Sequence, residues 1–91
     1  MRIRWTTEAA TDLETINQYL RAHQPHFAQP TMRKLYDAAR SLRTAPFRRR
    51  VGREDDTREL LCLPLPYIIA YRVEGENIEI LHIHHAARDR P

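Results

Sequence analysis

Apolar positions in the last third of the chain fall into three short runs, residues 60–63, 67–73 and 78–83. Each is rich in β-formers and short enough to be a strand. Glu74-Gly75-Glu76-Asn77 separates the last two, and its glycine allows the positive φ that closes a hairpin. Pro64-Leu65-Pro66 separates the first two, and its prolines belong outside a central strand because they donate no ladder bond. The pattern predicts an antiparallel three-strand meander ending in a charged, histidine-rich tail. At the other end, residues 1–6 alternate Ile3 and Trp5 with Arg2 and Arg4, the period of a strand with one buried face.

Between these ends the period changes from two to about 3.6. Thr6 or Thr7 caps a helix whose positive end Glu8 and Asp12 complement. Ala9, Leu13, Ile16 and Leu20 lie on one face of it. It stops near His23-Gln24-Pro25, because a residue before proline is pushed out of helical geometry. A second helix carries Ala28, Thr31 or Met32, Leu35, Ala39 and Leu42 inward. Its first residue is either Pro25, with Pro30 then removing an internal bond and kinking it, or Pro30, with Gln29 as cap and Phe27 a staple outside; the second is expected because it avoids an internal proline. Ala45-Pro46 ends it, and the short link between the helices predicts an antiparallel hairpin. Residues 40–58 then carry seven arginines (Arg40, Arg43, Arg48, Arg49, Arg50, Arg53 and Arg58) with no apolar periodicity, which predicts a loop.

At 91 residues the chain is expected to form one domain, 1–91, with an ordinary core. Cys62 is the single cysteine, which excludes an internal disulfide and fits a reducing compartment. No leading segment resembles a signal peptide and no apolar run spans a membrane, so a cytoplasmic location is expected and a membrane partner is not. Fourteen arginines against one lysine, Lys34, favour bidentate binding of phosphates or carboxylates. That charge suits nucleic acid or an acidic protein without choosing between them.

His82, His84 and His85 cluster in the last run. On a strand His82 and His84 share a face, and Ile80 and Ile78 continue that face inward. A metal centre there lacks a third or fourth ligand, so neither metal nor cofactor is expected. As general acid and base beside arginines, a histidine pair suits RNA cleavage; as half-exposed residues filling a strand end, they need no chemistry at all. Were adjacent strand ends to meet, Arg58, Arg88 and the loop arginines would form one positive cluster, with Glu59 and Asp89 as ion-pair partners. Tyr67, Tyr71 and Trp5 read as core or groove aromatics, and Cys62 as inert packing. No glycine loop for nucleotides, zinc motif or nucleophile elbow is present.

The order strand, helix, helix, arginine loop and meander, together with its words, resembles the RelE/ParE superfamily of bacterial type II toxin–antitoxin toxins over nearly the whole chain. Those words are Trp5 with Thr6-Thr7-Glu8-Ala9 and Asp12-Leu13; Ile16 and Tyr19; and Gly52-Arg53 before Thr57-Arg58-Glu59-Leu60. They continue in Pro66-Tyr67-Ile68-Ile69, Tyr71-Arg72-Val73, Ile78-Glu79-Ile80-Leu81 and His85-Ala86-Ala87-Arg88. The resemblance implies an α+β fold, β-α-α-β-β-β, with a mostly antiparallel sheet under a helical hairpin. It also implies a cognate antitoxin, ParD/RelB-like and encoded adjacently, in a hetero-oligomeric complex.

Two activities occur in the superfamily. RelE-like members cut mRNA on the ribosome, and they carry an arginine directly after the tyrosine where this chain has Ile68 after Tyr67. Some also place a catalytic tyrosine in an extension, whereas this chain ends at Pro91. ParE-like members inhibit DNA gyrase, and the tail His85-Ala86-Ala87-Arg88 resembles their ending, with Ala86 where glycine is preferred. The expected function is therefore a ParE-like toxin that interferes with gyrase by protein–protein contact. Arg53, Arg58, His85 and Arg88 are the candidate target contacts. The alternative is a ribosome-dependent mRNA endoribonuclease using His82, His84 or His85 with Arg58 and Arg88. A third reading is a degenerate member that binds antitoxin without toxicity.

Overall fold

The structure, a computed structural model, describes residues 1–46, 50–51 and 56–88, the side chains of Arg50, Val51 and Arg88 aside. The order is β1 (Arg2–Trp5), α1 (Thr7–His23), α2 (Pro25–Ser41), β2 (Arg50–Val51), β3 (Arg58–Leu61), β4 (Tyr67–Glu74) and β5 (Asn77–His85), closed by a 3₁₀ turn at Ala86–Arg88. The fold is α+β, as expected. One sheet of order β1-β5-β4-β3-β2 holds all five strands. The β3–β4–β5 meander is antiparallel, and β1 lies parallel to β5, with Ile3 opposite Ile78 and Trp5 opposite Ile80. β2 pairs antiparallel with the start of β3, so the arginine segment predicted as pure loop contributes a two-residue edge strand.

Thr6 caps α1, its hydroxyl accepting the Ala9 N–H at 3.1 Å. Ala9, Leu13 and Leu20 are buried and Ile16 half-buried, which is the predicted stripe. Gln24 leaves helical geometry at φ −144°, and its N–H closes on the Leu20 carbonyl at 2.7 Å. Where α2 starts differs from the sequence expectation. It begins at Pro25, so Pro30 is internal and Gln29 is no cap. Pro25 costs little at a first helical position, where its missing N–H would have had no partner. The earlier start adds buried Ala28 to the inner face ahead of Thr31, Leu35 and Ala39, and that burial offsets part of the cost of Pro30. Phe27 is exposed and staples nothing.

The two helices pack on one sheet face. Leu60, Ile69, Tyr71, Ile78, Ile80 and Ile83 meet Ala9, Leu13, Leu35, Ala39 and Leu42 in a single core that includes buried Cys62. Half-buried Trp5 adds a tilted ring contact with Tyr36 at 5.3 Å. Across β1, β5 and β4 the register sets Arg4, Glu79 and Arg72 side by side. Glu79 accordingly pairs with Arg4 at 3.6 Å and Arg72 at 3.3 Å. The β4–β5 turn places Gly75 first, at φ +60°, as a tight two-residue hairpin loop demands.

Candidate functional site at the C-terminal end of the sheet

The site is shaped by a break in the pairing of β4 with β5. Tyr71 faces Ile80 and Ala70 faces His82, so Leu81 is an extra residue, a β-bulge. An extra residue reverses the inward phase of everything after it. Ile78 and Ile80 point to the helices before the bulge and Ile83 does so after it, all three buried. The expectation that His82 and His84 continue the Ile78–Ile80 face is therefore wrong: they fall on the opposite phase, with His82 exposed and His84 half-buried.

The backbone around the bulge is held from α1 and its cap. The Thr6 hydroxyl donates to the Ile80 carbonyl at 2.7 Å and lies 3.2 Å from that of Leu81, while the Thr6 N–H donates to Ile80 at 3.1 Å. Beyond Ile80 no β1 residue pairs with β5. There the Asp12 carboxylate accepts the Ile83 N–H at 3.0 Å and sits 3.2 Å from His82 Nδ1. Asp12 stands past the first turn of α1, so its partner is the β5 edge rather than the positive end of the helix.

Past the bulge, His85 returns to the helix side. It lies opposite Tyr67, ring to ring at 5.6 Å and 80°, an edge-to-face contact. Burial pushes the Tyr67 phenol above its ordinary pKa, and the nearby Tyr19 adds to the shift. Tyr19, 59% exposed, carries a second ring contact with His23 at 4.5 Å. The tail then folds back: the Ala86 N–H donates to the Pro66 carbonyl at 2.7 Å, and the Ala87 N–H to His85 Nδ1 at 3.1 Å. His85, Ala86 and Ala87 are exposed.

The three histidines thus go three ways, to Asp12, to the opposite sheet face and to Tyr67. Arg58 lies opposite Tyr71, four residues along β4 from the Tyr67–His85 pair. That is roughly 13 Å at the rise of a strand. Arg58 therefore stands along the sheet from the tail rather than beside it, and the expected cluster with Arg88 turns on a side chain outside the described residues. Glu59 is buried. Arg48, Arg49, Gly52, Arg53 and Asp89 lie outside the described residues, and the Arg88 backbone belongs to the closing 3₁₀ turn. Ile68, next to Tyr67, is buried in the sheet. Among the described residues no three His, Cys, Asp or Glu side chains are grouped to hold a metal ion, and no helix is long and apolar enough to cross a membrane.

Sequence reasoning missed Asp12 and Tyr19 as parts of this end of the molecule. A signal for the first was present. The buried isoleucines step from 78 to 80 and then to 83, and a step of three inside a period-two run marks an inserted residue. Tyr19 flanks the apolar stripe of its helix, and only the placement of α1 along β5 brings it beside Tyr67.

Residues 3–90 match a family profile described as the ParE toxin of type II toxin–antitoxin system, parDE. The protein Y4kP of Sinorhizobium fredii (strain NBRC 101917 / NGR234), described as a candidate toxin, is 37% identical over 90 residues, which cover 99% of this chain and 93% of Y4kP. Among solved structures, one from the chromosomal ParDE TA system of P. aeruginosa superposes with a TM-score of 0.84. It is 24% identical, covering 93% of this chain and 95% of its own. A YoeB/ParE toxin from Agrobacterium tumefaciens superposes with a TM-score of 0.64 at 17% identity, covering 93% of this chain and 98% of its own. At these identities the two structures speak to the fold alone.

Proposed function

Because the chain belongs to the ParE toxin family of type II toxin–antitoxin systems, we propose that it arrests growth by binding DNA gyrase and is neutralised by a cognate antitoxin. The observation that carries this reading is the family match over residues 3–90. The tail from His85 to Arg88 is the first candidate contact. It is exposed at His85, Ala86 and Ala87, yet held by a backbone bond to Pro66 and by the Tyr67 ring. A surface ordered before binding loses less entropy on association. Arg53 and Arg58 are secondary contacts in this reading.

Geometry weighs against the ribonuclease alternative. Cleaving RNA needs a base, an acid and a cation around one phosphate. Here His82 is engaged by Asp12, Ile68 is buried at the position next to Tyr67, and Arg58 stands four residues, roughly 13 Å, along the sheet from the Tyr67–His85 pair.

The test is induction of the protein without its antitoxin, with gyrase supercoiling and ribosomal mRNA cleavage scored in parallel. Inhibited supercoiling with intact mRNA is the expected result. Codon-positioned mRNA cleavage with untouched gyrase would overturn the reading, and normal growth with neither effect would favour a member that only binds antitoxin. Arg88→Ala should relieve toxicity in a folded protein; full toxicity in that variant removes the tail as the main contact.

A further inference from the structure

We infer that Asp12 is a positioning residue for the tail: by holding the Ile83 N–H it fixes the β5 bulge and so decides which side of the sheet His85 reaches. The inference rests on the reading of the tail as the target contact.

β1 ends where the bulge begins, so the β5 edge beyond Ile80 has no ladder neighbour on that side and its backbone groups must be satisfied elsewhere. Here α1 and its cap supply partners. Thr6 holds the carbonyls of Ile80 and of the inserted Leu81, and Asp12 holds the Ile83 N–H beyond them. Because β1 pairs only as far as Ile80, Asp12 does for Ile83 what the next strand residue would have done. Its carboxylate is a charge-assisted acceptor, stronger than a neutral one.

What this decides lies three and four residues further on. With the insertion at Leu81, Ile83 turns into the core, His85 meets Tyr67 and the Ala86 N–H reaches Pro66. Without it, the pleat would send His84 toward Tyr67 and His85 away, because a slip of one residue exchanges the two faces. Asp12 bonds to His82 and Ile83 rather than to His85, so it acts through the bulge. The Ile83 link, rather than the His82 one, is the operative bond: His82 is a half-exposed side chain, whereas Ile83 is the buried residue whose phase the bulge sets.

The two bonds are separated by substitution. Asp12→Asn keeps a carboxamide oxygen for the Ile83 N–H. Asp12→Ala removes both bonds, and His82→Ala removes only the second. The free toxin, released from its antitoxin complex, is compared by NMR for the His85–Tyr67 ring contact and for hydrogen exchange at the Ile83 amide, and in gyrase supercoiling for potency. Asp12→Ala should lose the ring contact, expose the Ile83 amide and weaken gyrase inhibition about tenfold, the effect of one such bond. Asp12→Asn and His82→Ala should stay near wild type in all three. A retained ring contact in Asp12→Ala overturns the inference, as does loss of the contact in His82→Ala. His82→Ala, at an exposed position, still decides the matter if Asp12→Ala does not fold. If the wild type leaves gyrase untouched, the functional reading fails, while the NMR comparison still tests the role of Asp12.

Discussion

The Tyr71 hydroxyl donates a 2.7 Å hydrogen bond to the carbonyl of Pro46, tying the middle of β4 to the chain just past α2. Tyr71 is fully buried and the largest side chain in that state, so its ring is core while its oxygen serves as a strut. The bond gives the end of the helical hairpin a fixed place over the sheet. Tyr71→Phe keeps the ring and leaves the Pro46 carbonyl short of a donor. It should cost about 1–2 kcal/mol. Urea unfolding should show a lower midpoint with an unchanged slope. An unshifted midpoint would mean that water replaces the hydroxyl without loss.

Pro30 is the clearest conflict between local preference and tertiary packing. Inside α2 it removes the N–H that would bond to the His26 carbonyl, and its ring crowds that turn. Alanine at such a position gains about 3 kcal/mol of helix preference, of which about 1 is returned because the unfolded chain regains freedom. Pro30→Ala should therefore stabilise the protein by about 2 kcal/mol, raising its melting temperature by roughly 10 °C for a domain of this size. An unchanged or lower melting temperature would show that the bend at Pro30 is itself needed for packing.

These two positions mark where sequence reasoning reached its limit. Strand alternation in residues 1–6, the stripe of Ala9, Leu13, Ile16 and Leu20, and the hairpin at Gly75 depend on short-range periods, and each formed as read. Whether α2 begins at Pro25 or Pro30 depends on what Ala28 buries against, which no local rule contains. The pairing of β1 with β5 joins residues more than seventy apart and is equally beyond periodicity. At the candidate site, plain strand alternation makes the histidines look like one group. The bulge at Leu81 scatters them, and its clamps, Thr6 and Asp12, lie in the family's own first words. Those words therefore report how this fold is held together more than which target it meets.

Tyr67 supplies a test in alkaline solution. Burial, then Tyr19, raises its pKa above the ordinary 10.0, so the folded chain holds the phenolic proton longer than the unfolded one. The sign follows from proton counts. Below the unfolded value both states are protonated and the contribution is whole; as pH climbs through the folded value it is lost. Stability should fall from about pH 10 upward more steeply in the wild type than in Tyr67→Phe. Urea midpoints measured across that range check it, and parallel curves for the two proteins would refute it.

Ile68 carries the sharpest structural statement about activity. RelE-like members resemble this chain around Tyr67 but have arginine at the next position, where a cation would meet phosphate. In this protein that position is 3% exposed, between β3 and β5 and paired with Leu61 and His84. A guanidinium forced into such a site has no water, and an unpaired buried charge costs several kcal/mol. Ile68→Arg should therefore destabilise the protein by at least about 3 kcal/mol, while Ile68→Leu, which conserves volume, should cost less than about 1.5. Thermal melts of the two variants distinguish the cases. An Ile68→Arg protein that melts with the wild type would mean that the side chain reaches solvent. Position 68 would then be an open surface on which a phosphate contact can be built, and the geometric argument against RNA cleavage would lose one of its three supports.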